Sequence, residues 1–128
     1  MLYNEGNSQG GSIMPTIEID SRFAPKLESK LNELIYYADY LNISEIWLFG
    51  SVARGTCNAF SDIDLLILTS GNSKEVSFKI EELELREEIG FPKVDIIVRT
   101  PESISNTDYY FNTAVQKDKI MLWKRGDT

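Results

Sequence analysis

The stretch LFGSVARGTCNAFSDIDLLIL, residues 48–68, contains the residues that indicate the fold. Its first residues complete an apolar run, Ile46–Phe49, that stops abruptly at a glycine, as buried strands often do. Residues 50–61 are mostly small or polar, which predicts a loop containing one helical turn. Residues 62–68 (DIDLLIL) become continuously apolar, which is typical of a central strand. The stretch therefore predicts two buried strands joined by a glycine-containing loop.

The flanking sequence adds helices and further short strands to this pair. A helix is predicted over 25–41, where apolar residues recur with helical spacing, and a second, acidic helix over 74–89. Short strands are predicted over 94–98 and 120–123, with a last helix over 109–115. This order predicts an α/β (α+β) domain in which helices flank a small mixed β-sheet.

Length and composition limit the organisation of the chain. The 128 residues correspond to one domain. Residues 1–14 are rich in Gly, Asn and Ser and are predicted to form a flexible N-terminal tail, whereas residues 15–128 form the domain. No apolar run approaches the ~20 residues that span a membrane, and the N-terminus does not resemble a signal peptide. We therefore expect a cytoplasmic protein that does not bind membranes.

Charge and residue usage exclude several kinds of chemistry. The net charge of −7 argues against direct nucleic-acid binding, which depends on neutralising phosphates. The chain has no histidine, which excludes a Ser-His-Asp triad, and its single cysteine, Cys57, excludes an internal disulfide. Catalysis would therefore depend on carboxylates, hydroxyls, Lys or Arg, or on metal ions bound by oxygen.

Three aspartates, Asp62, Asp64 and Asp95, lie at the starts of predicted strands. Because side chains alternate along a strand, Asp62 and Asp64 point to the same face, with Cα atoms ~6–7 Å apart. Clustered carboxylates repel each other, and a hard cation such as Mg²⁺ would relieve that repulsion. A lone DxD is more often a polar strand end, so this pattern alone leaves both interpretations open.

Gly50 and Ser51 follow the first strand and open the predicted helical turn. The first N–H groups of such a turn are free to bind phosphate, and glycine lets a ligand approach the backbone closely. Taken alone, such a pair is more often an ordinary surface turn at the end of a strand.

The combination is more specific than its parts. Gly50-Ser51, ten further residues, Asp62-Ile63-Asp64 and a later Asp95 resemble the GS-x₁₀-DxD signature of the DNA polymerase β-like nucleotidyltransferase superfamily. Residues 48–68 are similar to its small bacterial branch, the minimal nucleotidyltransferase (MNT) domains, which include the MntA-type antitoxins. The resemblance extends from Leu27 to Trp123 and implies a polymerase β-like nucleotidyltransferase fold.

The resemblance also implies roles for these residues. Gly50 and Ser51 would bind the β- and γ-phosphates of ATP, and Arg54 would either reach a phosphate or serve as a solvated or structural residue of the turn. The three aspartates would bind two Mg²⁺ ions, and Asp95 would be the general base for the acceptor hydroxyl or would assist a metal-bound alkoxide.

The resemblance finally implies a partner. MNT proteins often act with HEPN-type ribonuclease toxins, and some transfer AMP to a tyrosine of the toxin. The acidic net charge would complement a basic partner. Two alternatives stay open, namely a nucleotidyltransferase that modifies a small molecule of the aminoglycoside type, and a non-catalytic antitoxin that neutralises its partner by binding. Nucleotide preference, oligomeric state and the modified residue are not predicted.

Overall fold

A computed structural model describes residues 12–13, 19–86, 90–106 and 109–126. Their elements alternate between strands and helices along the chain. The strands are β1 (Ser12–Ile13), β2 (Ile43–Phe49), β3 (Ile63–Thr69), β4 (Val94–Arg99) and β5 (Ile120–Lys124). The helices are α1 (Ala24–Tyr36), α2 (Gly50–Arg54), α3 (Ser73–Glu82), α4 (Pro101–Ile104) and α5 (Tyr110–Asp118). The predicted mixed sheet flanked by helices is confirmed.

The strands form one sheet in the order β1-β5-β2-β3-β4. Strands β3 and β4 are parallel, with α3 as their crossover, and every other neighbouring pair is antiparallel. As a result, the end of β2 and the starts of β3, β4 and β5 meet at one end of the sheet. We call this the active end, because the predicted site residues lie there.

The two faces of the sheet are covered differently. One face carries the larger core, in which Ile63, Leu65 and Ile67 of β3 pack with residues of α1 and α3. The other face carries a smaller core, in which Leu66 and Leu68 pack with α4 and α5. The alternation along β3 therefore separates two apolar clusters, and it also decides which face each site residue occupies.

Several predicted boundaries differ from the structure. Helix α1 ends at Tyr36 and not at residue 41 as predicted. Turns follow it as far as Asn42, which has a φ of 55° and directly precedes β2. Helix α3 ends at Glu82 because the chain turns at Glu84, with φ 57°, and buries Leu85. The end of the predicted second helix, residues 87–89, lies outside the described residues.

The predicted tail, residues 1–14, falls mostly outside the described residues. Within it, Ser12 and Ile13 form β1 and pair with Lys124 and Trp123 of β5. None of the helices in the described part of the chain is long and apolar enough to cross a membrane.

Candidate active site

Gly50 lies at the junction between β2 and α2, where the chain turns sharply out of the sheet. Its φ of 79° is in the left-handed region that favours glycine. A Cβ at this position would overlap Oδ2 of Asp64, the residue beside it on β3. Glycine is therefore needed for the backbone conformation and for the close approach of the Asp64 carboxylate.

Asp64 and Asp95 face each other across two neighbouring strands. Asp64 of β3 is in register with Asp95 of β4 on one side and with Phe49 of β2 on the other. Alternation places Asp64 on the same face as Leu66, and Asp95 on the same face as Ile97, both of which belong to the smaller core. The two aspartates thus lie next to each other at the active end, on the face covered by α4 and α5.

Asp62 lies one residue before β3 and is exposed. The preceding turn is fixed by the side chain of Asn58, whose Oδ1 accepts from the N–H of Phe60 at 2.9 Å, while the Asn58 N–H donates to Ser61 Oγ at 2.9 Å. Among the described residues, no three His, Cys, Asp or Glu side chains converge on a single point suitable for a metal ion. The three aspartates therefore form an open arrangement.

The environment of Asp64 disfavours its charged form. Burial raises the pKa of the Asp64 carboxyl, and the negative charges of Asp95 and then Asp62 raise it further, to about 6. The positive charge of Arg54 acts in the opposite direction and lowers this pKa. Asp64 is therefore the carboxylate that would benefit most from a bound cation.

The donor set fits a hard divalent cation. All candidate ligands are carboxylate oxygens, which Mg²⁺ prefers, and Mg²⁺ is commonly held by one or two carboxylates together with substrate phosphates. Asp64 and Asp95 in register across β3 and β4 provide such a pair. The open arrangement leaves room for phosphate and water oxygens in the remaining positions.

Ser51 and Arg54 lie on α2, one helical turn apart. Ser51 is half-buried at the first turn, where backbone N–H groups lack partners within the helix. Arg54 is exposed, and its Nη1 donates to Oδ2 of Asp118, the last residue of α5, at 2.7 Å. All six predicted site residues therefore lie at the active end. Asp118 also lies there, because it contacts Arg54. Sequence reasoning missed Asp118, because 64 positions separate it from Arg54.

Comparison with known proteins identifies the family of the chain. Residues 25–120 match the family model described as "Nucleotidyltransferase domain", so the chain belongs to this family. The chain is also similar to a solved structure of a candidate nucleotidyltransferase from Sulfolobus solfataricus, with 26% identity over 76% of each chain and a TM-score of 0.50. No curated protein sequence matches the chain.

Proposed function

We propose that this protein is a Mg²⁺-dependent adenylyltransferase that transfers AMP from ATP to a hydroxyl group of a partner protein. The proposal rests on one observation: Gly50 lies against the carboxylate of Asp64, and Asp64 is in register with Asp95 on the neighbouring strand. A backbone turn able to bind phosphate lies directly against a pair of carboxylates able to bind the metal ions of a nucleoside triphosphate. Membership of the nucleotidyltransferase family supports nucleotidyl transfer.

The residues at the active end have separate roles in phosphate binding, metal binding and proton transfer. The turn at Gly50 and Ser51 binds the β- and γ-phosphates, with Arg54 as a further cationic contact. Asp62, Asp64 and Asp95 hold two Mg²⁺ ions, which when bound stabilise the charge on the attacking and leaving oxygens. The acceptor oxygen attacks the α-phosphorus, the bond to pyrophosphate breaks, and the Asp95 carboxylate takes the hydroxyl proton.

We propose a HEPN-type ribonuclease toxin as the acceptor, with the present protein as its antitoxin in the cytoplasm. The net charge of −7 favours a basic partner, as a ribonuclease would be. Exposed aromatic residues, which are enriched in protein interfaces, support a protein acceptor. Phe60 is 80% exposed two residues before Asp62, and Tyr110 is 88% exposed at the start of α5.

The test is the intact mass of the partner after incubation with the protein, ATP and Mg²⁺. We expect one AMP adduct per modified hydroxyl. Ser51→Ala should slow transfer by about 10²–10³-fold, as expected for one lost transition-state contact, without weakening partner binding. Asp95→Asn should slow it more, because the acceptor proton loses its base. Ser70→Ala and Asp39→Asn are matched controls at the opposite end of the sheet, since Ser70 follows β3 and bonds to Asn42, and Asp39 pairs with Arg125 beside the start of β2.

Two outcomes would overturn the proposal in different ways. If wild-type protein and Asp95→Asn neutralise the partner equally at equal concentration and neither forms an adduct, the protein acts by binding alone. If no protein acceptor is labelled but radiolabelled AMP is transferred to an aminoglycoside, the acceptor is a small molecule.

A further inference from the structure

Asp118 occupies a position that ordinary helix electrostatics disfavour. It is the last residue of α5, where the helix dipole repels a negative charge, and its side chain is only 17% exposed. Its carboxylate is compensated by Arg54 of α2, with Nη1 and Oδ2 2.7 Å apart. An ion pair between two elements of the active end thus offsets a charge that α5 alone would not favour.

Arg54 contacts Asp118 and belongs to the same short helix, α2, as the candidate phosphate-binding residues Gly50 and Ser51. Arg54 follows Ser51 by three positions, so both side chains project from the same side of α2. The charge of Arg54 also acts on the Asp64 carboxyl. Arg54 is therefore close to the residues proposed to bind the triphosphate while it is bonded to Asp118.

The bond to Asp118 uses a small part of the donor capacity of Arg54. A guanidinium has five N–H donors in a rigid plane. Within the described part of the chain, Asp118 accepts from Nη1, and the Arg54 side chain remains 47% exposed. No other acceptor among the described residues bonds to this guanidinium, so its remaining nitrogens can donate to an anion in a direction that the bonded nitrogen sets.

We propose that Asp118 is a positioning residue that orients Arg54 toward the phosphate chain of a bound nucleoside triphosphate. The inference rests on the proposed function, since it needs a triphosphate at the Gly50–Ser51 turn. It differs from a purely structural tie between α2 and α5, which would stabilise the fold without affecting ligand affinity. It also differs from competition, in which Asp118 would withhold Arg54 from the phosphate.

Calorimetric titration of the full chain with ATP, tripolyphosphate and AMP, each with Mg²⁺, separates these cases. Asp118→Ala should weaken ATP and tripolyphosphate binding about tenfold and leave AMP binding nearly unchanged, because a charge-assisted contact is lost only with the longer phosphate chain. Asp118→Glu should restore most of the affinity. Asp39→Ala removes a more exposed ion pair, with Arg125, at the opposite end of the sheet and should change no affinity.

The decisive comparison is made in the Arg54→Gln background. There Asp118→Ala should have no further effect on ATP affinity, since the residue that it orients is gone. An unchanged ATP affinity in the single variant, with a lower melting temperature, would show a structural tie and overturn the inference. Tighter binding by Asp118→Ala would show competition and overturn it as well. If wild-type protein binds neither ATP nor tripolyphosphate, the proposed function itself fails and the inference fails with it.

Discussion

Replacing Asp64 by Asn should stabilise the metal-free protein at neutral and alkaline pH. A rise of the Asp64 pKa from 3.8 to about 6 sets a ceiling of about 3 kcal/mol, at ~1.36 kcal/mol per pKa unit. Because the side chain is partly exposed at the end of the sheet, solvent screening reduces this to about 1–2 kcal/mol. The isosteric amide removes the buried charge and the repulsion from Asp95 while keeping the shape.

The size of the stabilisation by Asp64→Asn depends on pH, whereas its sign does not change. The folded protein binds the Asp64 proton more tightly than the unfolded chain, so wild-type stability falls as pH rises from about 4 to about 6. Above that window the full penalty is present, and below it Asp64 is protonated in both states. The two stability curves should therefore separate at pH 8 and meet near pH 4.

Urea unfolding in the presence of a chelator at pH 4, 6 and 8 measures both curves. Glu75→Gln is the matched control, because it removes the same charge at the start of α3, at the opposite end of the sheet, and should change stability by no more than ~0.5 kcal/mol. A variant Asp64→Asn that is less stable than wild type at pH 8 by ~1 kcal/mol or more would refute the reasoning. The carboxylate would then be a structural acceptor.

Three further predictions concern the glycine turn, a buried lysine and the binding of ATP with Mg²⁺. Gly50→Ala should abolish ATP binding and lower stability by about 1–3 kcal/mol, because the new methyl group displaces Asp64 and the φ of residue 50 is positive. Gly55→Ala is the control, because φ is 76° there and the space around the Cβ is open. It should lower stability only through the backbone conformation and should keep ATP binding. Lys30→Met should lower the free energy of unfolding by about 1–3 kcal/mol in urea, since the buried ammonium donates to the Leu85 carbonyl at 2.7 Å. Mg²⁺ with ATP at 100 times the dissociation constant should stabilise the protein by about 2.7 kcal/mol, seen as a higher melting temperature, and the Asp62→Asn, Asp64→Asn double variant should lose this shift.

Strands β2 to β5 were predictable because they depend on local pattern, whereas β1 lies within the residues that were predicted to form a tail. The strand before Gly50 and the strand after Asp62 are both present, although β2 begins at Ile43, before the run that predicted it. Asp95 begins a strand as expected, and the parallel register places it opposite Asp64. The periodicity of two along a strand predicts which residues share a face, whereas the pairing of Asp64 with Asp95 depends on the register between strands.

Other features depend on tertiary contacts or on signals that were present and overlooked. Helix α4 was not predicted, although Thr100 accepts from the Ser103 N–H as an N-cap and Pro101 occupies the first helical position. The bond between Arg54 and Asp118 joins residues far apart in sequence, which no local pattern encodes. The raised pKa of Asp64 likewise depends on burial and on charges that only the folded sheet brings together.

The unequal covering of the two faces of the sheet has a consequence for local opening of the fold. The face packed by α1 and α3 holds most of the apolar core, whereas the face that carries Asp64 and Asp95 is covered by the short helices α4 and α5. Segments with fewer buried apolar contacts open at lower free energy and exchange their amide hydrogens sooner. The amides of α4 and α5 should therefore exchange before those of α1 and β3. The candidate active site then has a rigid sheet on one side and a layer of readily opened helices on the other.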